Sequence, residues 1–290
     1  MPDIAPLSAA AQEQDRKQRL ADERAAIEQF GRLNGALELQ AAVLALLLPS
    51  GSKRAARAWE IETEDTANAE ALRAQVKHLS APARLPQFEA LVSRMRGQPL
   101  AERQNLLEAT RRVMGARGTV RPIDRLHWLA MRQRLGGPSG AGARNAAAAD
   151  LSLLPQADVS SIAMYSAFLS RIVPVAATEA DSAAEADVAP GAAWYATAMT
   201  PWHVNAVIPP CQPPDSDGLV QALQALQALP WMQRPMLVRG WVTAAIQHSR
   251  YGRLDSTAAD ALRLSAALLD SPLPPELARH YGVVAPEVSR

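Results

Sequence analysis

The sequence predicts an all-α protein, and three observations lead there. Ala and Leu dominate the apolar residues, while Phe, Trp and Tyr together make up 4% of the chain. Apolar residues recur at three- and four-residue spacing in one stretch after another. No run of β-branched residues alternates at period two, as a half-buried strand requires. At 290 residues the length prior is about one or two domains, enough to bury a real core.

The elements follow in order. Residues 1 to 7 are expected to be frayed. From Ala9 to about Phe30 a charged helix has few apolar positions before Ile27 and Phe30, so it reads as solvated or as a docking arm. Leu33 to Leu48 is strongly apolar and is closed by Pro49-Ser-Gly51. Ala69, Leu72 and Val76 give an amphipathic helix from Thr66 to about His78. Leu85-Pro86 opens another through Phe88, Leu91, Val92 and Met95, which Gly97 ends. The Gly- and Ala-rich run from Gly136 to Ala143 is a linker by composition. Ser160 to Ile172 resumes helical spacing, Ala176 to Pro190 is an acidic, Ala-rich loop, and a helix covers about Ala192 to Met199. A Pro-rich connection from Ile208 to Pro214 precedes Val220, Leu223, Leu226 and Leu229.

Two helix–Gly turn–helix units stand out. In the first, Leu106, Leu107, Thr110, Val113 and Met114 share a face. Gly118-Thr-Val120 makes the turn, and Pro122 to Leu135 forms the second helix. In the second unit, Leu237, Trp241, Ala244 and His248 lead to a turn at Tyr251-Gly252. A helix then enters through Asp255 or Ser256, whose side chains accept from the first turn, and Pro272, Pro274 and Pro275 stop it. Laying Gly118 on Gly252 places Val120 on Leu254 and Leu107 on Trp241, a pattern that suggests duplication. The predicted organisation is a charged arm at 1–30, a first helical unit at 31–136, a linker at 137–157 and a second unit at 158–283.

The formal net charge is +1, which commits the chain to neither nucleic acid nor an anionic membrane. The distribution is uneven. Eleven Arg face four acids from Leu91 to Asp150, and one Arg faces five acids from Leu151 to Thr200. A single Cys211, set among prolines in what reads as an exposed loop, excludes an internal disulfide and a multi-thiolate metal site. The start lacks a basic then apolar leader. The most apolar segment, Ala41 to Pro49, is roughly half the ~20 residues of a membrane span. A cytoplasmic protein with no transmembrane segment is expected.

Chemistry-bearing motifs are scarce. His78, His127, His203, His248 and His280 have no His or Cys partner at ligand spacing, and no His-Glu-x-x-His helix occurs. There is no Gly-x-x-x-x-Gly-Lys phosphate loop and no Gly-x-Ser-x-Gly elbow. The expectation is a non-enzyme with no catalytic residues, cofactor or metal. The candidate interaction residues are Arg117, Arg121, Arg125, Arg132 and Arg134, which crowd around one helix, with Arg121, Arg125 and Arg132 on one face. Trp128 is either a stacking neighbour of that stripe or core. Trp202 and Trp231, each beside a proline, could line a peptide groove, whereas Trp194 and Trp241 read as core anchors.

At the two turns the sequence resembles the TerB-like helical fold of tellurite-resistance proteins. It is closer to the duplicated TerB-like tail that follows the catalytic domain of HtpX-like bacterial membrane zinc metallopeptidases. The matching residues are Gly252, Leu254, Asp260, Leu262, Arg263 and Ser271-Pro-Leu-Pro-Pro275 in the second unit. In the first they are Leu85-Pro86, Gly118, Val120 and Asp124. The acid that precedes each turn Gly in that family is Arg117 here in one unit and Tyr251 in the other, and the first acid of the later pair is Ala258. These changes remove oxygen ligands that a cation would need. The resemblance implies two TerB-like helical units without the catalytic half. The functional expectation is a helical interaction, scaffold or regulatory subunit with protein partners, including peripheral association with a membrane-bound enzyme. The second reading is a nucleic-acid or anion binder using the Arg117–Arg134 stripe.

Overall fold

Helix propensity and apolar spacing are realised almost throughout. The computed structural model describes residues 9–49, 51–136, 154–173, 191–202 and 206–282. Among these it contains thirteen α-helices and no strand. The chain divides into two compact units, Met1–Thr119 and Val120–Arg290.

In the first unit α1 (Ala9–Arg32), α2 (Ala36–Leu47), α3 (Lys53–Glu62), α4 (Ala69–His78), α5 (Ala81–Met95) and α6 (Leu100–Gly115) are arranged around α2. The apolar run predicted a buried helix, and residues 39–45 of α2 are all buried. Helices α3, α4, α5 and α6 all pack on it. Trp59 of α3 is buried, and its indole N–H donates to the Ala41 carbonyl at 3.2 Å.

One helix is added to those expected, and two expectations change. Helix α3 carries no long apolar stripe, since only Ala55 and Trp59 are buried, so its periodicity is weak in the sequence. Helix α5 opens at Ala81 rather than at Leu85-Pro86. Pro82 occupies its first turn and Pro86 falls inside. Glu23 of α1 accepts from both the amide (2.9 Å) and the hydroxyl (2.5 Å) of Ser80 at that helix start. Finally, α1 is docked at its C-terminal end and is no separate arm there. Ala26 and Phe30 are fully buried against the unit. Arg94 of α5 donates to the carbonyls of Phe30 (2.5 Å), Gly31 (3.0 Å) and Leu33 (2.8 Å). A cation there neutralises the negative end of the helix dipole as it satisfies the orphan carbonyls.

In the second unit α7 (Pro122–Leu135), α8 (Gln156–Leu169), α9 (Ala192–Met199), α10 (Ser216–Gln227), α11 (Gln233–Gln247), α12 (Ser256–Leu268) and α13 (Pro275–His280) follow. Helix α10 packs on α8, α8 and α11 on α9, and α7 and α11 on α12. The sequence puts α7 in the first unit, with a break in the 136–144 linker. Its buried face of Ile123, Leu126, Leu129, Ala130 and Met131 instead packs on α12, so the division falls between Thr119 and Val120. The helices of the first predicted hairpin, α6 and α7, therefore belong to different units. Most of the 137–157 linker, the acidic 176–190 loop, His203 and residues 1 to 7 lie outside the described residues.

Both turn glycines adopt left-handed backbone, Gly118 at φ +85° and Gly252 at φ +66°. Gly191 is more constrained. It starts α9 at φ +90°, and a Cβ there would run into the Ser170 carbonyl. Gly240, inside α11, has open space around its missing Cβ. Gly191→Ala is expected to lower stability by about 2 kcal/mol or more, from left-handed strain and overpacking. Gly240→Ala is expected to raise it by about 0.5–1 kcal/mol. Urea unfolding followed by circular dichroism checks both.

Candidate interaction surface

The start of α11 exposes large apolar side chains on a rigid backbone. Trp231 is 73% exposed, Met232 57% and Met236 57%. Met232 and Met236 are one helical turn apart and so share a face. They lie off the buried stripe of Leu237, Val238 and Trp241. The turn beneath them is pinned. The Gln233 amide donates to the Pro230 carbonyl at 2.9 Å. The buried Arg234 donates through Nε to the Leu229 carbonyl (3.0 Å) and through Nη1 to the Leu269 carbonyl (3.4 Å). Trp offers a large contact area at little rotamer cost, and Met adapts to irregular partners. Of these three residues only Trp231 stands out in the sequence. The signal for Met232 and Met236 was their four-residue spacing outside the Leu237–Trp241 stripe.

Trp202 is not part of this surface. It closes the 3₁₀ turn Thr200–Trp202 after α9 with 9% of its area exposed, so it is held as core and offers no open groove wall. Trp194 and Trp241 are fully buried, as their apolar surroundings predicted.

The arginine stripe is only partly assembled. Arg121, Arg125 and Arg132 do lie within about 40° of one helical direction at 100° per residue. Arg121, however, is engaged by Asp124, through Nε to Oδ2 at 3.1 Å and Nη2 to Oδ1 at 2.7 Å. The same carboxylate accepts from the Arg121 amide at 3.1 Å, so Asp124 satisfies a free donor at the start of α7. Arg117 belongs to the first unit, and it and Arg134 are half-buried and engaged. Arg132 is exposed and Arg125 half-buried. Trp128 stands on the same side between them and is also half-buried, so it is not a core residue.

Several further polar groups are held one by one. His127 donates from Nδ1 to the Ile123 carbonyl at 3.0 Å, and His248 Nε2 meets Thr197 Oγ1 at 2.7 Å. Asp260, one of the turn-associated acids, accepts from the Tyr281 hydroxyl at 2.8 Å. Cys211 is half-buried rather than exposed, with Sγ 3.4 Å from Ser170 Oγ. Beside it the Tyr195 hydroxyl donates to the Pro209 carbonyl at 2.6 Å, and burial pushes that phenol up to about 12. The Pro-rich connection is thus docked on α8 and α9. Among the described residues no group of three or more His, Cys, Asp or Glu side chains stands together. No helix among them is long and apolar enough to cross a membrane.

What the fold defines is a class, an all-α protein. No protein-family model, curated protein or solved structure matches the chain.

His127 makes a testable case for pH. Burial lowers its pKa from the ordinary 6.5 to about 4. The unfolded chain therefore takes up a proton near pH 6.5 that the folded chain refuses, so stability is full above that value and declines as pH falls toward 4. Discounted for the ring's part exposure, the loss by pH 4.5 is about 2 kcal/mol. Between pH 7 and pH 4.5 the unfolding free energy from urea titrations should fall by about this amount more for the wild type than for His127→Gln.

Proposed function

We propose that the chain is a non-catalytic helical interaction subunit, a scaffold or regulator within a larger bacterial assembly. The surface formed by Trp231, Met232 and Met236 is its contact for a protein partner. The observation that carries this reading is a tryptophan 73% exposed on a turn that Arg234 and Gln233 hold rigid from below. A pre-set backbone presenting an aromatic anchor gives up little entropy on binding, and such anchors dominate interface energetics. The TerB-like relationship also enters here as a proposal. It draws support from the left-handed glycines at both predicted turns and from the packing of α7 on α12, the second helices of the two hairpins. On that relationship the partner is a membrane-bound enzyme, contacted peripherally.

A second reading, nucleic-acid or anion binding along α7, is favoured by one observation. Arg125, Trp128 and Arg132 share a side on which no carboxylate is paired with either arginine among the described residues. It requires retention on heparin at about 50 mM salt, weakened in an Arg125→Ala/Arg132→Ala variant. Passage of the wild type without retention overturns it.

For the interaction reading, full-length protein is used to capture partners from native lysate, beside a Trp231→Ser/Met232→Ser/Met236→Ser variant of unchanged helicity. The expected outcome is a stoichiometric protein partner retained by the wild type and weakened about tenfold or more by the variant. An identical set of co-eluting chains, or no stoichiometric chain at all, overturns it.

A further inference from the structure

The first unit holds a cavity of about 480 Å³ bounded by the end of α2, the start of α3, α4 and the start of α5. That volume lies within the range of pockets that take small organic ligands. Its chemistry is two-sided. Leu48 and Val76 give it an apolar floor, and its charged lining residues are all cations, Lys53, Arg73, Lys77 and Arg84. Among the described residues no carboxylate lines it.

The four cations are not equivalent. Arg73 is positioned by the protein. Its guanidinium lies 5.2 Å from the centre of the Trp59 ring, and Nη1 is 3.8 Å from Glu60 and 3.6 Å from Glu70. Lys53, Lys77 and Arg84 have no ion pair among the described residues, which leaves an excess of positive charge around the opening.

A second feature points to the same ligand class. Ser52 caps α3, its hydroxyl accepting from the Ala55 amide at 3.2 Å. The first turn that follows carries Lys53 and Arg54 and no acid. A helix start is the positive end of the dipole and prefers acidic side chains. Cations there act against the helix, and an anion seated at Lys53 would reverse the sign of that interaction.

We propose that this cavity binds a small amphipathic anion. Its carboxylate or phosphate-ester head is held by Lys53, Lys77 and Arg84 at the mouth, and its aliphatic or aromatic tail lies on Leu48 and Val76. The site lies in the first unit and does not rest on the interaction reading of the second. The head supplies the charge that the lysines and the α3 terminus lack, and the tail removes the floor from water.

The test is an amide NMR titration of the full-length protein with octanoate, octyl phosphate, octanol and inorganic phosphate. Octanoate or octyl phosphate is expected to bind with Kd below about 1 mM, and the tighter of the two identifies the head group. Octanol and inorganic phosphate are each expected to bind at least about tenfold more weakly, because each lacks one half of the recognised chemistry. Lys53→Gln/Lys77→Gln changes only exposed side chains and is expected to weaken binding about tenfold with helicity unchanged. Arg125→Gln/Arg132→Gln, which removes equal charge elsewhere, is expected to leave it unchanged. Octanol binding as well as octanoate, or inorganic phosphate binding as well as octyl phosphate, overturns the proposal. So does equal loss in both variants, or no shift up to about 1 mM.

Discussion

Trp241 links four helices of the second unit, joining α11 to α8 and α9 directly and to α12 through Tyr165. Its ring stacks on Tyr165 of α8 at 5.4 Å between centroids, and its N–H donates to Ser166 Oγ at 2.9 Å. Its carbonyl accepts from the Trp194 indole of α9 at 3.3 Å. Tyr165 in turn meets Ser265 of α12 at 3.1 Å. All of these side chains are fully or almost fully buried, so each polar atom left without its partner would cost about 1–3 kcal/mol. Large rings fill the volume, and a chain of hydrogen bonds fixes their orientation. That anchoring fixes α11 from its middle, which is why its N-terminal end can hold Trp231, Met232 and Met236 outward without collapsing onto them.

The first unit is organised on a different constraint. Helix α2 is so apolar that four helices must cover it, and small residues at 41, 42 and 45 let them approach closely. Polar bonds then set the register around it. Trp59 donates to the Ala41 carbonyl, and Gln40 donates from Nε2 to the Glu62 carbonyl at 3.1 Å. Arg112 of α6 pairs through Nε with Glu62 of α3 at 2.5 Å. The packing that covers α2 leaves a gap where α2 ends and α3 begins. The cavity is the residue of that geometry.

Much of this was legible in the sequence where a helix needed a single, strong apolar stripe. Helices α2, α7, α9 and α12 follow directly from spacing, caps and proline or glycine stops. Asp255 does cap α12, accepting from the Thr257 amide at 2.8 Å. Helix α3 was illegible because two buried residues, Ala55 and Trp59, suffice to hold it. The α5 boundary was illegible because its start is completed by Glu23, far away in sequence. The assignment of α7 failed for a related reason. Its apolar face is compatible with any partner face, and the choice of α12 is reinforced by Gln227, whose Nε2 donates to Gln133 Oε1 and the Leu268 carbonyl. Trp202 and Trp231 looked alike as tryptophans beside prolines. What separates them is that one ends a helix turned inward and the other precedes a turn pinned from below.

Counting cations along the chain misjudges which of them are available to a ligand. Arginine's planar fork bonds two or three oxygens at once, and here it is drawn into structure. Arg94 closes α1, Arg234 ties the α11 turn to the end of α12, and Arg121 is held by Asp124 at the start of α7. A stripe of arginines in the sequence is therefore largely a set of internal fasteners, and the charge it suggests is partly neutralised at Asp124. Lysine, a hydrated point charge on a flexible stem, is poorly suited to such fastening. Only three of the 30 basic residues are lysines, and two of them, Lys53 and Lys77, line the first-unit cavity. Three cations without an ion pair among the described residues, Lys53, Lys77 and Arg84, meet at that opening, whereas three of the five arginines in the densest basic run, Arg117, Arg121 and Arg134, are already engaged.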